Sequence, residues 1–188
     1  GKDYILHGIA ACSEKIIKNL EDAIKKCDKM MCDIINSSPE LKKTFDIVTS
    51  IKGISLQNGV AMIVYTNNFS KFENVRQMLC FWGVAPFEHS SGTSVHGRTQ
   101  TSFFANKMLK ELISDAAANS IRYNDKIKTY YNRLVNRGKM KGVALNNVKA
   151  KLINIVFTMV QRGTKYDPNY DMIKTTNKQK AEILKNAC

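Results

Sequence analysis

Apolar residues return on a seven-residue period at the start of the chain. Ala10, Ile17, Ile24 and Met31 take one position, and Ser13, Leu20, Cys27 and Ile34 take the neighbouring core position. Ile9, Ile16, Ala23 and Met30 widen this stripe, while Glu14, Lys18, Glu21, Lys25 and Lys29 fill the other faces. A repeat of ~3.5 residues belongs to a coiled-coil seam rather than to a lone surface helix. The pattern predicts one helix over residues 3–36, about 50 Å long at ~1.5 Å per residue. Such a rod cannot bury its own stripe. It needs its own domain or a second copy, so homo-oligomerisation through residues 9–34 is expected.

Shorter helical patterns follow. Ser38-Pro39-Glu40 reads as a helix start, with Ser as the cap and Pro at the first helical position, where its missing N–H is harmless. This helix carries Leu41, Phe45, Ile47 and Val48, breaks at Ile51-Lys52-Gly53-Ile54-Ser55, and gives way to another that runs to about Tyr65. Helix, tight Gly turn, helix is the outline of a helix-hairpin-helix, whose turn can aim backbone N–H groups at a phosphate. Many ordinary helix pairs share it. Ser70-Lys71-Phe72-Glu73 matches a capping box ahead of Val75, Met78, Leu79 and Phe81, with Gly83 and Pro86 as the stop. Residues 87–102 are polar and Gly-containing, and a loop of that length inside a helical domain is often functional. Helical periodicity resumes with Phe103, Phe104, Met108, Leu109, Leu112, Ile113 and Ala116. A last strong helix is expected over 144–162, with Gly163 as its C-terminal cap.

The expected fold class is all-α: a long coiled-coil-like helix over residues 1–38, a helical domain with a helix-hairpin-helix-like element over 39–120, and a basic helical tail over 121–188. Composition agrees. Pro is rare at 3 residues, Gly modest at 10, and the chain is 44% hydrophobic, which suits a packed domain. The net charge of +13 changes the picture, because it is one-sided. Residues 1–120 hold 14 Lys/Arg against 12 Asp/Glu, whereas residues 121–188 hold 15 against 4. A basic region of this kind attracts polyanions through counterion release. Its helices lack the Trp- and Leu-rich apolar face of a membrane-surface helix, and no apolar run reads as a membrane span. The five Cys form no CxxC pair and, with His7, His89 and His96, no zinc spacing. Reduced thiols and a cytoplasmic location are expected.

The order of motifs between residues 40 and 120 resembles the insertion-sequence transposases of the IS116/IS110/IS902 type, to which a Piv-like DNA invertase is also related. Ser50-Ile51-Lys52-Gly53-Ile54-Ser55 stands where that family has its hairpin. Phe72 and Val75-Arg76-Gln77-Met78-Leu79-Cys80-Phe81-Trp82-Gly83-Val84-Ala85-Pro86 stand for its basic helix, and Ser91-Gly92 for its serine loop. Asn106 and Leu109-Lys110-Glu111-Leu112-Ile113-Ser114-Asp115-Ala116-Ala117 match the helix after it. The departures are Ser55 for the second hairpin glycine, Lys52 for its proline, and a turn at 101–106 without the usual Lys and Gly.

The resemblance implies a DNA transposase whose catalytic nucleophile is Ser91, with Ser90 as runner-up, attacking a phosphodiester. It implies nucleic-acid contacts at Gly53, Arg76, Arg98 and Lys110, and the charge pattern adds Arg133, Arg137 and Lys141. It also implies a RuvC-like domain with four acidic residues holding a divalent metal such as Mg. No such carboxylate set is legible in this chain. The chain begins with Gly1 rather than Met, so that domain is expected upstream, and no cofactor or metal is expected in the chain itself. The expected partners are DNA and a structured guide RNA. The other reading is a non-catalytic helix-hairpin-helix module that binds nucleic acid, with a dimerising coiled coil.

Overall fold

The computed structural model describes residues 2–169, apart from 88–89, 92–94, 97–99 and 102–105. The described chain is all-α, with seven helices and four strands of two residues each. Helix α1 runs unbroken over Lys2–Ser37, as the heptad pattern predicts. Its stripe lies open to solvent: Ile9, Ile16, Ile17, Leu20, Ile24, Met30 and Ile34 are all more than half exposed. Among the described residues, the C-terminal end of α1 meets α2 and α3. There Ile35 is buried, and Asp28 Oδ1 accepts a hydrogen bond from Gln57 Nε2 at 3.0 Å.

Ser38 turns the chain into α2 (Pro39–Thr49). Its backbone is extended, its hydroxyl accepts from Leu41 N–H, and Pro39 opens the helix. The turn to α3 (Leu56–Thr66) passes through Gly53 at φ +108. A Cβ there would lie 2.4 Å from the backbone nitrogen of Ser120 and 2.5 Å from its Cα, so only glycine lets the turn lie against α5. Ser55, where the related motif has glycine, caps α3 by accepting from Asn58 N–H at 3.3 Å. The chain leaves α3 through Asn67, Asn68 and Phe69, all with positive φ. Burial of Phe69, whose N–H donates to Thr66 Oγ1 at 2.9 Å, holds this uncommon run in place.

Helix α4 (Val75–Phe81) is capped by Asn74 rather than by Ser70. Asn74 Oδ1 accepts from Gln77 N–H, and Gln77 Oε1 accepts from Glu73 N–H, each at 3.0 Å. Ser70-x-x-Glu73 is therefore not the capping box that the spacing suggests, and the helix starts four residues later. Ser70 instead donates to Asn67 O within the preceding turn. Residues 86–101 hold two antiparallel pairs. Strand β1 (Pro86–Phe87) pairs with β4 (Gln100–Thr101), and β2 (Ser90–Ser91) pairs with β3 (Val95–His96). What reads as a long polar loop in the sequence thus contains two short strand pairs.

Helices α5 (Lys107–Tyr123), α6 (Asp125–Asn136) and α7 (Lys141–Arg162) complete the domain. Asn124, itself buried, ends α5 and caps α6 by accepting from Lys126 and Ile127 N–H. Gly163 ends α7 at φ +65, as the sequence predicts, and Thr164 N–H closes the turn onto Met159 O at 3.1 Å.

One core joins α2 through α7: Ile47, Val48 and Ile51 meet Met62, Met78, Trp82, Leu109, Ile113, Ile127, Val148, Leu152 and Val156. Helix α7 packs against α2, α4, α5 and α6 and so forms its axis. By length and composition α7 could cross a membrane. Here its apolar stripe, from Ala144 through Met159, is built into the protein core.

Candidate nucleic-acid interface and serine arm

The serine segment, or serine arm, is flanked by two fixed points. On one side, Val84 is fully buried and its carbonyl accepts from Asn146 Nδ2 of α7 at 3.1 Å. On the other, Asn106 opens α5 by accepting from the N–H groups of Met108 and Leu109. Between them the ladder sets Ser91 opposite Val95 and Ser90 opposite His96. His89, Gly92 and Arg98 lie outside the described residues.

Two lysines stand close to these points. Lys110 lies one turn into α5, and Lys149 one turn beyond Asn146 on α7. Lys149 is buried, 9% exposed. Burial first, and then repulsion from Lys110, hold its ammonium below the usual lysine range. The sequence reading passes over Lys149, yet the signal is there. Leu145, Lys149, Leu152 and Val156 follow the helical period, which places a charge on the apolar stripe.

The basic face lies on α6 and α7. Arg133, Arg137 and Lys141 are exposed, clustered around the turn between the two helices. Tyr130 extends this face: the Arg133 guanidinium sits 5.4 Å from its ring centre, and Lys151 Nζ of α7 sits 4.9 Å from it. The cations therefore continue from the α6–α7 turn along the seam between the helices. Arg76 is exposed on α4, a separate element. Gly53 has a sufficient reason in its contact with Ser120, and that packing explains the residue without any ligand. No group of three His, Cys, Asp or Glu side chains among the described residues is placed to hold a metal ion. The described residues thus form no site for the divalent metal, which the resemblance puts in a separate domain.

The family model described as "Transposase IS116/IS110/IS902 family" matches residues 45–132. Residues 45–132 are thus similar to the transposases of that family. The match takes in the hairpin, α4, the serine arm, α5 and most of α6, in line with the resemblance read from the motifs. Over 152 residues the chain is 24% identical to the pilin gene-inverting proteins of Moraxella lacunata and Moraxella bovis, covering 80% of this chain and 47% of theirs. Over 133 residues it is 28% identical to the insertion element IS110 uncharacterized 43.6 kDa protein of Streptomyces coelicolor, covering 71% of this chain and 33% of that protein. The chain thus spans about half the length of the Moraxella relatives it matches, and less of the Streptomyces one.

Proposed function

We propose that this chain is the DNA-gripping and strand-exchanging part of a transposase, and that Ser91 is its nucleophile. The observation that supports this most is the joining of the family match to a paired β-arm. Ser90 and Ser91 form one strand of the only β elements among the described residues, anchored through Val84 and Asn106 to a basic helical domain. In the proposed step the Ser91 Oγ attacks the DNA phosphorus and a P–O bond to the sugar breaks. The serine proton passes to a base, and the departing sugar oxygen takes one up. A serine hydroxyl needs activation to do this at neutral pH. The described residues offer no metal-binding cluster for it. The resemblance implies a RuvC-like domain for that role, whose four acidic residues would hold the divalent metal that activates the hydroxyl.

Arg133, Arg137 and Lys141 supply affinity for nucleic acid, with Arg76, Arg98, Lys110 and the Gly53 turn as further contacts. The exposure of the first three supports this role, and a structured guide RNA would suit the same face as DNA does. The open stripe of α1 supports self-association through residues 9–34. A second reading, a non-catalytic helix-hairpin-helix module, draws on the Ser55-capped hairpin of α2 and α3.

Trapping a covalent protein–DNA adduct separates the two readings. This chain alone should bind nucleic acid without cleaving it. In the longer protein, Ser91→Ala should abolish the adduct while DNA affinity stays within about twofold, because the hydroxyl acts in the reaction and the cations in binding. An adduct that survives Ser91→Ala but not Ser90→Ala moves the nucleophile by one residue. An adduct that survives both leaves the module reading.

A further inference from the structure

The basic face does not end at Lys151. Beyond it, a groove of about 490 Å³ opens between the start of α6, the second half of α7 and residues 164–168. Its volume falls in the ~300–1,000 Å³ range of sites that take small molecules or single chemical units. The lining is predominantly apolar, with Ile127, Ile155, Met159 and Tyr166 among its residues, and Lys126, Lys151 and Lys165 join them from three different segments.

The wall at residues 164–168 is fixed. Gly163 and Thr164 turn the chain back at the end of α7, and Tyr166 N–H donates to Ser50 Oγ at 2.8 Å. The Tyr166 hydroxyl reaches Asn124 Oδ1 at 3.5 Å, which ties the ring to the α5–α6 junction. Asp167 is the one carboxylate in the lining, and its Oδ1 already accepts from Asn169 N–H at 2.8 Å. An aromatic ring and aliphatic side chains among cations match the two parts of a nucleotide. A base has an apolar face to lay down, and its phosphates carry the charge. A paired base is stacked between its neighbours and cannot enter a cleft of this size, so the groove suits an unpaired one.

We propose that this groove seats one unpaired nucleotide of a DNA strand. The base lies against Ile155 and Tyr166, and the flanking phosphates lie at Lys126, Lys151 and Lys165. The proposal rests on the transposase reading, since strand exchange must hold nucleotides that have left their duplex. It adds a place for them, away from the arm and from the α6–α7 turn.

The test uses the chain as it stands, with a fluorescent oligo-dT 12-mer and a duplex of equal length. A double variant, Lys126→Gln and Lys165→Gln, should weaken oligo-dT binding about fivefold or more. It should lower the single-strand salt slope by about 1.4, at ~0.7 per phosphate contact, and change duplex affinity less than threefold. Ile155→Gln, at a half-buried site, should weaken oligo-dT binding with an unchanged circular-dichroism spectrum. An oligonucleotide carrying 5-iododeoxyuridine should crosslink to the peptide containing Tyr166. Duplex binding without oligo-dT binding overturns the groove assignment and leaves the proposed function intact. So does oligo-dT binding that ignores all these variants. A 12-mer of oligo-U that crosslinks at Tyr166 where oligo-dT does not overturns the choice of DNA. Full displacement of oligo-dT by polyglutamate at equal charge overturns the role given to the base. Loss of both duplex and oligo-dT binding in the unmodified chain overturns the broader function as well.

Discussion

An alanine at Gly53 would need space that Ser120 already fills. The added methyl would meet backbone atoms of α5 at 2.4 and 2.5 Å, on a residue whose φ of +108 already disfavours a side chain. Gly53→Ala should therefore destabilise the domain by on the order of 3 kcal/mol in urea unfolding. A change below 1 kcal/mol would mean that the turn does not rest on α5. The sequence shows Gly53 as a conformational residue but not what makes it one, because Ser120 lies far away along the chain.

Lys149 makes a second prediction at this scale. Its folded-state pKa lies below the ordinary value of 10.5, so between the two the unfolded chain binds more protons. Stability should rise as pH climbs through that window. Lys149→Met should flatten this alkaline rise and stabilise the domain near neutral pH by on the order of 1 kcal/mol. Thermal unfolding against pH measures both, and an unaltered slope would put the titration on another group.

At the scale of elements, local rules made much of the fold legible. The heptads of α1, the Ser38-Pro39 start of α2 and the Gly163 stop of α7 all stand where spacing puts them. The start of α4 falls at Asn74 rather than at Ser70, and tertiary packing is the reason. Burial of Phe69 and Phe72 draws residues 67–72 into a turn, which leaves Asn74 to open the helix. The ladder inside the arm had no strong signal either: strands of two residues are too short to show alternation. For α1, the exposed stripe predicts a reversible association. Ile17→Asp with Ile24→Asp, at sites 55% and 59% exposed, should give a monomer by sedimentation velocity, with the melting of the domain unchanged. A parent chain that is already monomeric at high concentration would refute that association.

Across the whole molecule, charge and core overlap in a way that composition conceals. Residues 121–188 hold most of the excess positive charge, and a count of charges makes them look like a solvated extension. Yet Ile127, Val148, Leu152, Ile153 and Val156 from the same region are fully buried. The charges sit on one side of helices whose other side is the core, so the cationic face is held rigidly. Its strength should show in the salt dependence of duplex binding. Arg133→Glu, Arg137→Glu and Lys141→Glu together should lower the slope by about 2.7, at ~0.9 per phosphate contact on B-DNA. A slope equal to that of the parent would place duplex contacts on another face. The role proposed for Ser91 comes only from the order of motifs around it, since Ser-Gly in a polar stretch has no chemistry of its own to announce.

Helix α1 is held at one end, and this limits how its length can vary. Each residue added within it moves everything beyond by ~1.5 Å and turns it by about 100°. Seven added residues return the apolar stripe to within about 20° of its starting direction. One or two would swing it away from whatever it faces. Insertions and deletions in this segment are then tolerated in steps close to seven, so the spacing between joined copies would change in jumps of about 10 Å rather than smoothly.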